Sequence, residues 1–222
     1  MTSRLLRYVP LLLLASLALG LFYATRAPAA ATVPVPSLDA MHTAPGQQVI
    51  VLAGGCFWGI QAVFLHTKGV THAVAGYSGG TAETANYETV SGHGTGHAES
   101  VQVTFDPSKI TVGQLLQVYF ASHDPTELNR QGPDSGPQYR SSIFFSTPEQ
   151  EKIAKSYIAQ LNAAHVYHDP IVTEVVPLKS FYPAEGYHQN YLASHMDQPY
   201  IAINDLPKLA NLKTQFPALY KN

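Results

Sequence analysis

Cysteine is nearly absent from this chain of 222 residues, which contains only Cys56. A single thiol excludes an intramolecular disulfide, both as a structural crosslink and as the second half of an internal redox cycle. Charge is scarce too: 13% of the residues are charged and the net charge is -2 at pH 7, which gives no reason to expect nucleic acid as a partner. The ten histidines are scattered, and glycines separate His93 from His97, so we expect no metal site.

Charged residues are also missing from a long stretch near the N-terminus. Arg4 and Arg7 precede the uncharged, mostly apolar residues 8–25, and small residues follow at 27–31. This layout is typical of a secretory signal peptide, and the apolar stretch is also long enough for an uncleaved membrane anchor. In either case we expect residues 1–31 to direct export, which places the rest of the chain in the periplasm or another extracytoplasmic space.

The remaining chain divides by composition into a linker and one domain. Residues 32–46 are rich in Pro and Ala and are predicted to be a linker, and residues 47–222 are predicted to form a single globular domain. Strand-like and helix-like segments alternate through that domain. They predict an α+β fold, a two-layer sandwich (ferredoxin-like) with helices packed on a mixed central sheet. Residues 81–95 and 123–139 are predicted to be two long functional loops.

The local sequence around Cys56 favours a reactive thiol. Two glycines precede it after an apolar run at 49–53, and two aromatic residues follow it. A strand that ends in glycines and turns into a helix places the thiol at a helix N-terminus, where free N–H groups and the helix dipole favour the thiolate. A buried structural cysteine is the alternative, because free cysteines often act as small hydrophobic residues. Cysteines of exported proteins usually pair in disulfides, however, so a lone thiol there is unusual, and a catalytic role would explain it.

Each of the two long loops leads to residues that are able to take part in chemistry. The first contains Tyr87 and runs toward Glu99, and the second contains Asp134 and Tyr139. Taken singly, each has a structural explanation. The tyrosines fit half-buried packing positions, Glu99 fits a solvated strand edge, and Asp134 fits a turn.

Taken together with Cys56, these residues match a larger pattern. Seven motifs occur in order: Gly-Cys-Phe-Trp-Gly at 55–59, Gly76-Tyr77-x-Gly79-Gly80, Gly96-His97-Ala98-Glu99, Asp106-Pro107, His123-Asp124-Pro125, Gln138-Tyr139-Arg140-Ser141 and Ala184-Glu185-x-Tyr187-His188-Gln189. The set resembles the A-type peptide-methionine sulfoxide reductase family, which reduces the S epimer of methionine sulfoxide. The resemblance covers residues 47–200 and implies that residues 47–222 are the catalytic domain of an oxidoreductase that repairs oxidised proteins.

The resemblance implies a role for each residue that carries the chemistry. Cys56 is the nucleophile that attacks the sulfoxide sulfur as a thiolate. Glu99 is the general acid that protonates the sulfoxide oxygen, a role that requires a raised pKa, which a dry aromatic pocket supplies. Tyr87 and Tyr139 donate hydrogen bonds to the same oxygen. Asp134 is placed near this oxygen and the cysteine.

The resemblance also implies a pocket and a recycling route. Phe57 and Trp58 line the apolar pocket that receives the S-methyl group. The product is methionine together with a sulfenic acid on Cys56. Many members of the family carry resolving cysteines near the C-terminus, but residues 202–222 contain none. We therefore expect no cofactor and an external thiol as reductant: a thioredoxin-like protein, a glutaredoxin-like protein or a small thiol.

Three alternatives come from other functional classes. A cysteine hydrolase requires a histidine beside Cys56 and an oxyanion hole. A non-catalytic sulfoxide-binding or redox-sensing domain retains the pocket without turnover. An exported chaperone-like module uses the aromatic residues as an adhesive surface and tolerates loss of the thiol. The family resemblance favours the reductase, which we expect to be a monomer.

Overall fold

The computed structural model describes residues 32–39 and 46–222. The predicted signal peptide or anchor at 1–31 and residues 40–45 of the predicted linker lie outside the described residues. Within the described parts, no helix is long and apolar enough to cross a membrane. Export of the domain therefore stays a prediction.

A central six-stranded sheet organises the domain. In chain order, the described strands of the whole domain are β1 (Gln48–Gly54), β2 (Val70–Ser78), β3 (Ala98–Phe105), β4 (Arg130–Gln131), β5 (Asp134–Ser135), β6 (Ser141–Phe145), β7 (Glu174–Pro177) and β8 (Phe181–Pro183). The sheet order is β7-β6-β1-β3-β2-β8, and β4 and β5 form a separate hairpin. Neighbours in the sheet are antiparallel except β6 and β7, which are parallel. The predicted mixed sheet of an α+β fold is confirmed.

The described α-helices have four to sixteen residues, and three of them begin at a side-chain cap. They are α1 (Phe57–Leu65), α2 (Tyr87–Ser91), α3 (Val112–Phe120), α4 (Pro148–Ala163), α5 (Tyr191–Ser194) and α6 (Leu206–Gln215), with a π-helical turn at Ile201–Asp205. Thr111 caps α3. Thr111 Oγ1 accepts the N–H of Gln114 at 3.1 Å, and Gln114 Oε1 accepts the N–H of Thr111 at 3.0 Å. This reciprocal pair satisfies two otherwise free donors and defines where the helix starts.

Both faces of β1 are covered, which explains its unbroken apolar sequence. Ile50 and Leu52 point into the main core, where they join residues from the helices. Val51 and Ala53 point to the opposite face and cluster with Phe144. Since successive side chains of a strand alternate between faces, a strand covered on both sides is apolar at every position. This burial holds the C-terminal end of β1 in place, and Cys56 lies two residues beyond it.

The first half of the predicted linker contacts the domain. Val33 is buried, and its carbonyl oxygen accepts the side-chain amide of Gln117 in α3 at 2.9 Å. The carbonyl of Pro34 accepts the hydroxyl of Tyr157 in α4 at 2.5 Å, and Asp39 Oδ1 accepts the N–H of Gly113 at 3.0 Å. A free spacer makes no such contacts. Pro/Ala-rich composition does not reveal them, because they depend on backbone carbonyls and one apolar side chain.

The two predicted loops contain short elements and are bonded to each other. The first includes α2, and the second includes the β4–β5 hairpin. A hydrogen bond of 2.8 Å joins His93 Nδ1 in the first loop to Gln138 Oε1 in the second. Arg140, just after the second loop, donates from Nη2 to the carbonyl of Gly96 at 3.0 Å. These bonds hold the loops together beside the start of β3, where Glu99 lies.

Candidate active site

Cys56 lies at the junction of β1 and α1, as predicted. It is the N-cap residue of α1 and its side chain is 7% exposed. Gly55 has φ +90, in the left-handed region that favours glycine, and a Cβ there would lie 2.6 Å from Gln131 Cβ. The turn therefore requires glycine both for its backbone angle and for the close approach of Gln131.

Burial dominates the protonation of Cys56. The pKa of the thiol is raised well above its ordinary value by desolvation, and then by the nearby carboxyl groups of Glu99 and Asp205. The backbone N–H of Trp58 and the Lys208 ammonium act in the opposite direction and lower the pKa. The helix N-terminus thus acts in the expected direction, but one N–H bond does not offset the loss of water around the sulfur, so the protonated thiol is the favoured form.

Glu99 is buried next to the thiol and anchored to the same helix. It is 3% exposed, and its Oε2 accepts the N–H of Phe57, the first residue of α1, at 3.1 Å. Burial raises the pKa of this carboxyl to about 8, although the Phe57 N–H acts to lower it. This agrees with the predicted elevation, so the carboxyl carries a proton at neutral pH. Because the Glu99 charge also raises the pKa of Cys56, the site disfavours two negative charges together.

The two loops bring Tyr87 and Tyr139 to the same site. Tyr87 is the first residue of α2, and Tyr139 ends a short 3-10 turn, Pro137–Tyr139. Burial raises the pKa of both phenols, and the charges of Glu99, Cys56 and Asp134 raise each pKa further. Both hydroxyls stay protonated at neutral pH, so each can donate a hydrogen bond.

Asp134 is held by a residue that the sequence did not single out as part of the site. The hydroxyl of Tyr200 donates to Asp134 Oδ2 across 66 residues of sequence. Burial raises the pKa of the Tyr200 phenol, with further contributions from Cys56 and from the bonded Asp134. Its ring meets Trp58 edge-on at 6.1 Å between centroids. Tyr200 thus links the Asp134 carboxylate in the second loop to the ring of Trp58.

The two aromatic residues after Cys56 have different surroundings. Phe57 is 1% exposed, and its ring lies 5.1 Å from His188. Trp58 is half-buried, stacks on Tyr191 at 3.9 Å, and donates from Nε1 to His188 Nδ1 at 3.1 Å. The apolar wall predicted from Phe57 and Trp58 therefore continues through His188, Tyr191 and Tyr200, and Trp58 is its more accessible part.

The sequence and the fold both match one known family. The family model described as peptide methionine sulfoxide reductase matches residues 48–219. This chain belongs to that family. The peptide methionine sulfoxide reductase MsrA 2 of Mesorhizobium japonicum is 60% identical over 178 residues, which cover 80% of this chain and 91% of the relative. The MsrA 2 of Synechocystis is 46% identical over 193 residues, covering 85% and 90%.

Solved structures of reductases share the fold. Mxr1 from Saccharomyces cerevisiae in reduced form has a TM-score of 0.63 and 32% identity, covering 73% of this chain and 92% of that one. The methionine sulfoxide reductase A of Corynebacterium diphtheriae has a TM-score of 0.61 and 33% identity, covering 73% and 85%. This chain is accordingly an oxidoreductase that reduces methionine sulfoxide.

Two supporting residues of the reductase site come from the last motif of the sequence pattern. Glu185 Oε1 accepts the backbone N–H of Tyr87 and Oε2 accepts the hydroxyl of Tyr77, both at 2.9 Å. The ring of His188 lies 4.5 Å from that of Tyr87. The presence of this motif in the sequence pattern indicated that Glu185 and His188 are functionally important. It did not reveal their contacts, since these join segments about a hundred residues apart.

A cysteine hydrolase needs a histidine base bonded to its thiol. His123 lies near Gly54, but its Nδ1 bonds the Tyr119 carbonyl at 2.9 Å and its Nε2 bonds Ser141 Oγ at 2.8 Å. Burial lowers the pKa of His123 to about 4. Across residues 32–39 and 46–222, no histidine forms a hydrogen bond with the Cys56 sulfur. The site therefore favours a reductase over a Cys–His hydrolase.

Proposed function

We propose that this methionine sulfoxide reductase acts on the S epimer, free or in oxidised proteins, with Cys56 as nucleophile and Glu99 as general acid. The observation that carries the proposal is the protonated, buried carboxyl of Glu99, bonded to the first N–H of the helix that follows Cys56. An acid with a pKa of about 8 retains its proton at neutral pH and releases it when the sulfoxide oxygen becomes basic during attack.

The chemical step transfers one oxygen atom. The Cys56 thiolate attacks the sulfoxide sulfur, Glu99 protonates the oxygen, and the sulfur–oxygen bond breaks as the oxygen passes to Cys56. The sulfoxide sulfur is reduced by two electrons and the cysteine sulfur is oxidised by two electrons to a sulfenic acid. The proton that leaves the thiol balances the proton that the oxygen gains, so the net step consumes none.

The loops and the aromatic wall provide recognition. The hydroxyls of Tyr87 and Tyr139 donate to the sulfoxide oxygen and stabilise the charge that develops on it. Asp134, fixed by Tyr200, lies beside this oxygen and orders the second loop. Trp58, with Phe57 beneath it, receives the S-methyl group.

Regeneration of Cys56 uses a thiol from another molecule. The sulfenic acid condenses with that thiol, which forms a mixed disulfide and water, and a second thiol releases reduced Cys56. Support comes from the sequence, which has no second cysteine to take this part. The donor is a thioredoxin-like protein, a glutaredoxin-like protein or a small thiol.

We infer a ferredoxin-like scaffold, export and a monomeric state for the same enzyme. The chain order β1-α1-β2-β3-α3-β6, with β6-β1-β3-β2 adjacent in the sheet, supports the scaffold. The basic and apolar N-terminal residues support export as a secreted or anchored protein. N-terminal sequencing of the exported protein, and its mass in solution, test the last two inferences.

Turnover with each epimer tests the function. With dithiothreitol as reductant, we expect the full chain to consume the S sulfoxide but not the R sulfoxide, and Cys56→Ser to consume neither. One turnover without reductant leaves a sulfenic acid that dimedone traps on the protein. Turnover by Cys56→Ser would exclude the mechanism. A wild type that binds the S sulfoxide without reducing it would instead be a sulfoxide-binding or redox-sensing domain.

A further inference from the structure

A buried ion pair from the C-terminal region lies behind the reactive thiol. Asp205, the last residue of the π-helical turn, is 0% exposed, and its Oδ1 accepts a hydrogen bond from the Lys208 ammonium at 3.0 Å. The Lys208 side chain is itself only 14% exposed. Removing two charges from water is costly, and their attraction alone often fails to offset that cost. A pair in this position therefore calls for an explanation other than stability.

The pair is pressed against the first turn of α1. A Cβ on Gly59 would lie 2.8 Å from Asp205 Cγ and 3.0 Å from Lys208 Cδ, so a larger residue would displace both side chains. Gly59 is three residues beyond Cys56 in the same helix. The close approach places the Asp205–Lys208 pair one helical turn behind the thiol.

Several charged and titratable groups face the thiol from the elements around it. They are Glu99 from β3, Tyr87 from α2, and Tyr139, Tyr200 and Asp205 from the turns, with Asp134 of β5 bonded to Tyr200. In the described part of the chain, the Lys208 ammonium is the leading positive charge that acts on Cys56 and Glu99, and it lowers the pKa of each group. Asp205 raises the pKa of both groups and thus opposes it.

We propose that Asp205 and Lys208 are positioning residues, in which Asp205 fixes the Lys208 ammonium so that it faces the single negative charge of the reaction. This rests on the proposed roles of Cys56 and Glu99. Before attack the charge is on the thiolate sulfur, and after proton transfer it is on the Glu99 carboxylate. One fixed cation stabilises both states, and no counterion has to enter the buried site as the charge moves.

The bonding of Asp205 fits this positioning role. Within the described residues, its Oδ2 is buried and has no hydrogen-bond partner, while its Oδ1 bonds Lys208. The carboxylate thus has Lys208 as its chief partner, and leaving either charge alone in the interior is unfavourable. A lysine without Asp205 would turn toward solvent, and its charge would then be lost to the thiol.

The alkylation rate of Cys56 tests the proposal without sulfoxide reduction. The full chain has one thiol, so its reaction with iodoacetamide across a pH series reports the pKa of Cys56 alone. We expect Lys208→Met to raise that pKa by about one unit, with a roughly tenfold slower reaction below it. Lys208→Arg retains the charge and restores most of the rate. In an Asp205→Asn background, Lys208→Met should shift the pKa by less than half as much.

Matched variants keep the result interpretable. Lys213→Met removes an exposed cation from the same helix, and we expect the wild-type alkylation profile. Lys208→Gln replaces Lys208→Met if the latter is not folded by circular dichroism. A folded Lys208→Met or Lys208→Gln with the wild-type profile would overturn the proposal, as would an equal shift in Lys213→Met. Failure of the reductase mechanism appears separately, as turnover by Cys56→Ser.

Discussion

The reductase site has two parts that differ in burial and support. The floor, Cys56 and Glu99, is less than 10% exposed and belongs to the junction of β1 and α1 and to β3. The rim, Tyr87, Asp134 and Tyr139, is half-buried and belongs to elements of two to five residues. Burial at the floor determines which groups carry protons, and the short elements of the rim provide directed hydrogen bonds. Changes at the floor should therefore affect chemistry more than changes at the rim.

Glu99→Gln should have the largest effect on turnover. The amide can still accept the N–H of Phe57 but has no proton to give, so we expect kcat to fall by about 10²- to 10³-fold. Steady-state kinetics with dithiothreitol measure this. Glu149→Gln is the control, since Glu149 is an exposed carboxylate at the start of α4. A kcat within about twofold of wild type would remove Glu99 from the role of general acid.

The same substitution should change how stability depends on pH. The folded-state pKa of Glu99, about 8, lies above its ordinary value of 4.5, so the folded protein holds this proton more tightly than the unfolded chain. The stability that this tightly held proton gives the folded protein is complete below about pH 4.5 and is lost as the pH rises through about 8. Glutamine has no such proton. Urea unfolding should therefore show the stability of Glu99→Gln rising relative to wild type across that window, and parallel curves would contradict the raised pKa.

Loss of either rim hydroxyl should have a smaller effect. Tyr87→Phe and Tyr139→Phe each retain the ring and remove one of two donors, so we expect kcat to fall roughly tenfold in each. Tyr187→Phe, which removes an exposed hydroxyl, should leave kcat unchanged. If either rim variant lost as much activity as Glu99→Gln, the distinction between floor and rim would not hold.

Tyr200→Phe should have a weaker effect still. The variant retains the edge-on contact with Trp58 and removes the donor to Asp134. We expect KM for a sulfoxide peptide to rise about threefold with kcat nearly unchanged, because the second loop is less well ordered. A large fall in kcat alone would place the Tyr200 hydroxyl in the chemical step.

Thr111→Ala should leave catalysis unaffected. It removes the reciprocal cap of α3, which lies in the scaffold, so the free energy of unfolding should fall by about 1 kcal/mol. Urea denaturation measures the loss, and kcat at a temperature well below unfolding should equal that of wild type. A change in kcat would show that α3 influences the site.

Local rules predicted much of the scaffold. The alternation of strands and helices and the start of α1 after Cys56 match the structure, since apolar patterning and strand-ending glycines are features of adjacent residues. The three-residue strand β8 and the π-helical turn at Ile201–Asp205 were not predicted, because neither is long enough to show a periodic pattern.

The site was predicted less completely, for a related reason. The sequence pattern identified Cys56 and Glu99, but the protonation of each depends on burial by the whole domain. For Cys56, that burial outweighs the effect of the helix N-terminus. The partners Tyr200 and Asp205 come from the C-terminal region and reach the site only through tertiary packing.

Infrared spectroscopy of the Glu99 carboxyl tests the central claim most directly. The difference spectrum of wild type minus Glu99→Gln isolates the C=O band of a protonated carboxyl. The band should be present at about pH 6 and disappear with a midpoint near the folded pKa of about 8. Absence of the band at about pH 6 would mean that Glu99 is ionised in the resting site, and it could not then be the acid that protonates the sulfoxide oxygen.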